Sequence, residues 1–123
     1  MGYIMTEKDL RWNRFIETIC NYDLKELSEI QKTAVLCFWY DAEMNNGGHS
    51  GYFELYPDAD GTEMSRALIA VGGNEFADNY LEALHNGEAD EYVETDARYY
   101  GFSPSLCDCL QEYVESTKEN IFD

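Results

Sequence analysis

The 123-residue sequence predicts an all-α protein, one compact domain over residues 1–123 built from about six helices. Three observations carry that prediction. Apolar residues recur at helical spacing in several windows. Capping residues stand just ahead of those windows. No stretch shows the clean two-residue alternation of a half-buried strand. The length suits one domain, and a hydrophobic content of 45% with 15% aromatics is enough to build a core despite the charge.

Thr6 with Asp9 forms a capping-box pattern, and Trp12, Phe15, Ile16 and Ile19 follow at helical spacing. A break is expected from Asn21 to Lys25. Ser28 with Gln31 is a second capping box, opening a helix toward Met44. Its run Ala34-Val35-Leu36-Cys37-Phe38-Trp39-Tyr40 is apolar all round, as in a central buried helix. Asn45-Asn46-Gly47-Gly48 reads as a turn, because these residues accept left-handed backbone angles cheaply. Gly51 to Tyr56 is short and aromatic, helical or extended. After a loop over Pro57 to Gly61, Thr62 is expected to cap a helix burying Met64, Ala67, Leu68 and Val71, which Gly72-Gly73 ends. Asn74 is expected to cap the next, with Phe76, Ala77, Tyr80, Leu81 and Leu84 inward, His85 in the last turn and Asn86-Gly87 as the stop. Glu88 to Tyr100 carries no pattern that fixes its structure. Ser103-Pro104 reads as cap and first helical position of a last helix whose stripe runs from Leu106 to Ile121.

Charge bounds the partners. The formal net charge is −17, from 25 Asp and Glu against 8 Lys and Arg. Such a field repels nucleic acid and anionic membrane and attracts cationic proteins. No apolar run is long enough to span a bilayer, and Met1 to Glu7 has neither a leader pattern nor a good acylation match. Cys20, Cys37, Cys107 and Cys109 read as reduced thiols, which suits a cytoplasmic protein.

Beyond Arg66 the only cations are Arg98 and Lys118, set among a long series of carboxylates. Glu75, Asp78 and Glu82 share a helical face, as do Asp108, Glu112, Glu115 and Glu119. Asp90, Glu91 and Glu94 add charge between them. Successive members of each face sit one turn apart, about 4.5–6 Å of axial rise. Phosphates along one DNA strand recur on a comparable scale, about 3.4 Å of axis each. These ten carboxylates are the candidate partner-binding residues.

Motifs for chemistry are weak. Asp58-Ala59-Asp60-Gly61 fails as a calcium loop, since Tyr56 and Ala67 fall where carboxylates are required. His49-Ser50-Gly51 is not a nucleophile elbow, and neither Gly47-Gly48 nor Gly72-Gly73 has the Lys of a phosphate-cradling loop. Cys107-Asp108-Cys109 is too tight for a zinc site. No catalytic residue, metal or cofactor is assigned.

The stretch Asn45-Asn46-Gly47-Gly48-His49-Ser50-Gly51-Tyr52-Phe53, followed by Ala67-Leu68-Ile69-Ala70-Val71-Gly72, resembles the DMP-type DNA-mimic family of small helical bacterial proteins. The resemblance covers residues 27–84, with Asn46, Gly47, Gly48, Tyr52 and Phe53 as its core motif. Three positions depart from the pattern: His49 where an aromatic is usual, Gly51 where Gln is common, and Leu55 where Asn often follows. The residues themselves give this motif a structural role, with Gly47 and Gly48 turning the chain while Tyr52 and Phe53 pin the returning segment. The resemblance implies an all-helical homodimer whose acidic surface imitates duplex DNA and binds a DNA-binding protein, often a repressor, rather than nucleic acid itself.

Three function classes follow. The first is a non-enzymatic interaction protein that sequesters a basic DNA-binding transcription regulator. The second is an immunity or antitoxin-like protein that blocks a basic toxin or nuclease. The third is an enzyme with a pocket at the Asn46–Tyr52 loop, which requires His49 in a concave site with a carboxylate such as Asp41 or Glu43 in reach.

Overall fold

The computed structural model describes residues 4–123; Met1 to Tyr3, part of the segment read above for leader and acylation signals, lie outside them. Among the described residues there are eight α-helices and no strand: α1 (Glu7–Glu17), α2 (Glu29–Met44), α3 (Gly48–Leu55), α4 (Gly61–Val71), α5 (Asn74–Asn86), α6 (Val93–Gly101), α7 (Leu106–Ser116) and α8 (Lys118–Ile121). Short 3-10 turns occupy Ile19–Asn21, Leu24–Glu26 and Gly87–Asp90. The all-α expectation holds, and the expected count of about six is corrected to eight. The two additional helices come from regions without local signals, α6 inside the unassigned acidic stretch and α8 beyond a break at Thr117.

Both capping boxes at the N-terminal end form as read. Thr6 accepts from the Asp9 N–H while Asp9 reaches back to the Thr6 N–H. Ser28 and Gln31 do the same for α2. The Gln31 side chain also donates to the Ile121 carbonyl at 2.8 Å, so one residue caps the central helix and ties down the C-terminus.

Three later caps fall elsewhere than expected. Asp60, not Thr62, caps α4, because its carboxylate accepts from both the Thr62 and Glu63 N–H groups. Gly73, not Asn74, precedes α5; its φ of +105° breaks the chain direction where only glycine does so without strain. Ser105, not Ser103, opens α7 through a box with Asp108 that includes both reciprocal bonds.

α2 is the spine, with α3, α4, α7 and α8 packed on it. α4 and α5 form a helical hairpin, α6 leans on α5 and α3, and α1 lies along α7. Phe15, Val35, Met44, Leu68, Leu106, Leu110 and Val114 are buried at the centre. Each such side chain contributes about 1.5–3 kcal/mol on leaving water. An aromatic group sits at the α2–α3–α5–α6 junction. The Tyr40 ring packs edge-on against Tyr52, Tyr80 and Tyr99, with centroids 5.0, 5.2 and 5.4 Å away. Edge-to-face pairs of this kind add about 0.5–1.5 kcal/mol each beyond their area.

Candidate functional site

Two places carry the polar groups that matter: a buried knot at the Asn-Gly-Gly motif and an acidic groove between α5 and α6.

The knot begins with the turn. Asn45 to Gly47 leave α2, and Gly48 takes φ +68° to start α3. This aims the His49 N–H at Oδ1 of Asp96 on α6, 3.0 Å away. The His49 ring then folds under the same carboxylate, with Nδ1 2.7 Å from Oδ1, and meets the Tyr40 hydroxyl at 2.6 Å through Nε2. A carboxylate only accepts, so Nδ1 carries the hydrogen and Nε2 accepts from Tyr40. Burial lowers the His49 pKa from its ordinary value, and the Asp96 hydrogen bond only partly offsets it. Burial also holds the Tyr40 phenol protonated. Alongside, the Tyr99 hydroxyl donates to Asp41, and the Tyr100 hydroxyl to the Met44 carbonyl.

His49 is wholly shielded, at 0% exposure, and its partners are Asp96 and Tyr40 rather than Asp41 or Glu43. A carboxylate thus stands in reach of His49, as Asp96, while the ring itself is fully covered. Gly48 and Tyr52 are buried and Phe53 half-buried, whereas Asn46 and Gly47 are exposed on the turn. The motif works as the joint that fixes α6 to α3, and α6 carries Glu94 and Arg98 of the acidic groove.

That groove runs between α5 and α6 as two adjoining recesses of about 430 and 280 Å³. Glu75, Asp78 and Glu82 of α5 line the first with Phe102, and Glu82, Asp90 and Glu94 line the second. Arg98 lies in both, ion-paired with Glu94, and is the one cation among the described lining residues. Five carboxylates thus face one guanidinium. The Asn79 side chain crosses beneath, donating to the Thr95 carbonyl at 2.9 Å and so holding the two helices together. Asp90 accepts from the Glu94 N–H at 3.0 Å, in the first turn of α6. Glu91 is exposed on the left-handed turn that precedes α6.

The second predicted face has a different fate. On α7, Glu112 is ion-paired with Lys8 and Glu115 with Arg11, both from α1, while Lys118 adds to Glu115 at 3.5 Å. The Arg11 hydrogen bond holds the Glu115 carboxyl below its ordinary range. Asp108 is spent on the α7 capping box, and Glu119 is exposed on α8. This face is largely a clasp for α1, and it packs with α1, α2 and α4 while the groove belongs to α5 and α6. The signal was present in the sequence: Lys8 and Arg11 have the same three-residue spacing as Glu112 and Glu115.

Among the described residues no group of three His, Cys, Asp or Glu could hold a metal, all four cysteines are free, and no helix is long and apolar enough to cross a membrane.

Fold and surface together define a small acidic all-helical domain with an internal polar joint and an open carboxylate-lined groove between α5 and α6. The chain belongs to the DMP19-like protein family, whose profile matches residues 25–121. The match agrees with the resemblance read from the Asn-Gly-Gly motif and extends well past residues 27–84 to include α6 and α7. Comparison with curated proteins and with solved structures found no match.

Proposed function

We propose that this protein is a non-enzymatic DNA mimic that captures a basic DNA-binding protein, a transcription regulator, and keeps it from its operator. The observation that carries the reading is the α5–α6 groove, with five carboxylates against Arg98. Glu75, Asp78 and Glu82 sit at helical intervals of about 4.5–6 Å, on the scale of phosphates along a strand. Both walls are held by Asn79–Thr95 and by the Asp96–His49 joint, so the charges stand in fixed order before a partner arrives. Preorganised charge of this kind speeds encounter and selects cationic surfaces.

The partner-binding residues are Glu75, Asp78, Glu82, Asp90, Glu91 and Glu94, with Glu119 and Asp108 at a separate site. Glu112 and Glu115 act mainly within the chain, through Lys8 and Arg11. The complete burial of His49 supports a non-enzymatic role. The free thiols suit a reducing cytoplasm. A homodimer is supported by the family resemblance.

The test is capture from native lysate on the immobilised protein. The expected result is a basic protein retained at low salt, released at high salt and displaced by duplex DNA. The triple substitution Glu75→Lys, Asp78→Lys, Glu82→Lys should abolish retention while helical circular dichroism is unchanged. Retention that survives that substitution, or that duplex DNA does not disturb, removes the reading.

A further inference from the structure

A second concavity lies away from the groove. It is a cleft of about 400 Å³ between α2, the end of α3 and the start of α4. That volume falls within the range of ligand clefts. Leu36 and Trp39 of α2 form one wall and Tyr56 another, and the Trp39 and Tyr56 rings are near-parallel, 8° apart with centroids at 6.2 Å. Leu55 stands at the edge, exposed.

The rim is acidic. Asp58, Asp60 and Glu63 line the mouth, and among the described lining residues there is no Lys or Arg. Two positive terms oppose them. Lys32 pairs with Glu63 at 3.2 Å from outside the cleft, and the N-terminus of α4 contributes about half a positive charge. Asp60 accepts from the first N–H groups of α4 and offsets that end. Three carboxylates against one ammonium and half a charge leave the mouth negative. Partial burial, and then the nearby Glu43 carboxylate, push the Tyr56 phenol up, placing a fourth acid close by.

Apolar floor, aromatic faces and carboxylate rim together suit one kind of guest: a flat cation on an alkyl stem. A guanidinium is planar and weakly hydrated, stacks on aromatic rings and accepts carboxylates at its edge, while its methylenes take the apolar wall. A neutral apolar guest would leave the rim charges uncompensated, and a compact ammonium would gain less from the rings.

We propose that this cleft seats an arginine side chain of the cationic partner, as an anchor separate from the α5–α6 groove. The proposal rests on the reading of the protein as a binder of basic proteins, and it names the residue type and the place that binding would use. Trp39 and Tyr56 supply ring faces, and Asp58 and Glu63 supply charge.

The test titrates the full-length protein with n-butylguanidinium and with n-butylurea, its neutral isostere, following amide and indole N–H resonances by NMR. The expected result is saturable shifts at the Trp39 indole and at Tyr56 to Glu63. The guanidinium should bind at least about threefold tighter than the urea, the scale of one exposed cation–π contact. Asp58→Asn should weaken the guanidinium alone, and Tyr56→Leu, which removes the ring, should reduce the preference while the rim charges keep part of it. Equal binding of the two compounds, shifts confined to the α5–α6 groove, or no saturable shift would each overturn the proposal. The two readings fail separately. Loss of the cleft result with DNA-competed capture intact removes only the anchor. Guanidinium binding without any DNA-competed partner removes the mimic and leaves a cation cleft.

Discussion

A Cβ placed on Gly48 would lie 2.6 Å from Oδ2 of Asp96, closer than real Cβ contacts come. Gly48 also has φ +68°, so two independent reasons exclude a side chain there. The second glycine of the Asn-Gly-Gly motif is thus explained by a residue 48 positions later: α6 can bring its carboxylate onto His49 only over bare backbone.

Gly48→Ala should therefore lower stability by about 2 kcal/mol or more, the sum of left-handed strain and displacement of Asp96. Gly51→Ala is the matched control. Gly51 lies inside α3 with nothing within 4 Å of its would-be Cβ, so alanine there should raise stability by about 0.5–1 kcal/mol. Urea unfolding of both variants gives the comparison. Equal effects would mean that the Gly48–Asp96 contact does not constrain the fold.

The pH dependence follows from His49. Its folded pKa is lowered from the ordinary value of 6.5, chiefly by burial. The unfolded chain then binds more protons than the folded one near that value. Stability is full above 6.5 and falls as pH drops through the lower, folded value. Melting temperature should decline between pH 7.5 and 5.5. His49→Phe, which restores the aromatic usual in the family pattern, should flatten that decline while losing stability overall, because Tyr40 and Asp96 then lack their partner. Asp41 acts in the opposite sense at more acid pH. Its carboxyl is raised, chiefly by burial, so its contribution is present below its ordinary value and lost as pH rises through the folded one. An unchanged slope in the phenylalanine variant would contradict this assignment.

The α1–α7 clasp makes a salt prediction. Lys8–Glu112 and Arg11–Glu115 lie at the surface, where added salt screens them. Hydrogen exchange in α1 should quicken at high ionic strength and in Glu112→Gln, Glu115→Gln protein, while partner capture by that variant at low salt stays unchanged. Capture lost through these substitutions would move the binding face to α7.

The thiols should be slow to react in the folded protein. Burial pushes Cys20 up to about 12 and raises Cys37, which has no exposed surface. The thiolate is the reactive form. With a disulfide reagent at pH 8, the half-exposed Cys107 and Cys109 should react first, and Cys37 only with unfolding. Prompt modification of Cys37 in native protein would contradict the packing of α2.

What could be read from the sequence was what the chain settles locally. The Thr6–Asp9 and Ser28–Gln31 boxes join residues three apart, so pattern alone found them. Helix α6 was not readable because no side-chain cap from the residue before it announces it. It starts after Glu91 and Tyr92, both at positive φ, and is held by packing on α5 and α3. The His49–Asp96 joint spans 47 residues and leaves no periodic trace. Of the ten carboxylates marked as one kind of surface, α5, α6 and the 3-10 turn between them bring Glu75, Asp78, Glu82, Asp90 and Glu94 to one groove. Glu112 and Glu115 stand against Lys8 and Arg11 instead, which spacing alone does not show, since it counts charges on a helix but not the cations a neighbouring helix lays against them.

The most direct test of the account is displacement. The captured basic protein, purified and bound to labelled duplex DNA, is titrated with this protein at two salt concentrations, with bound DNA followed by mobility shift. Charge mimicry predicts release of the DNA, weaker at the higher salt, and no release by the Glu75→Lys, Asp78→Lys, Glu82→Lys protein. A ternary complex with DNA still bound, or equal release by wild type and triple variant, would contradict it.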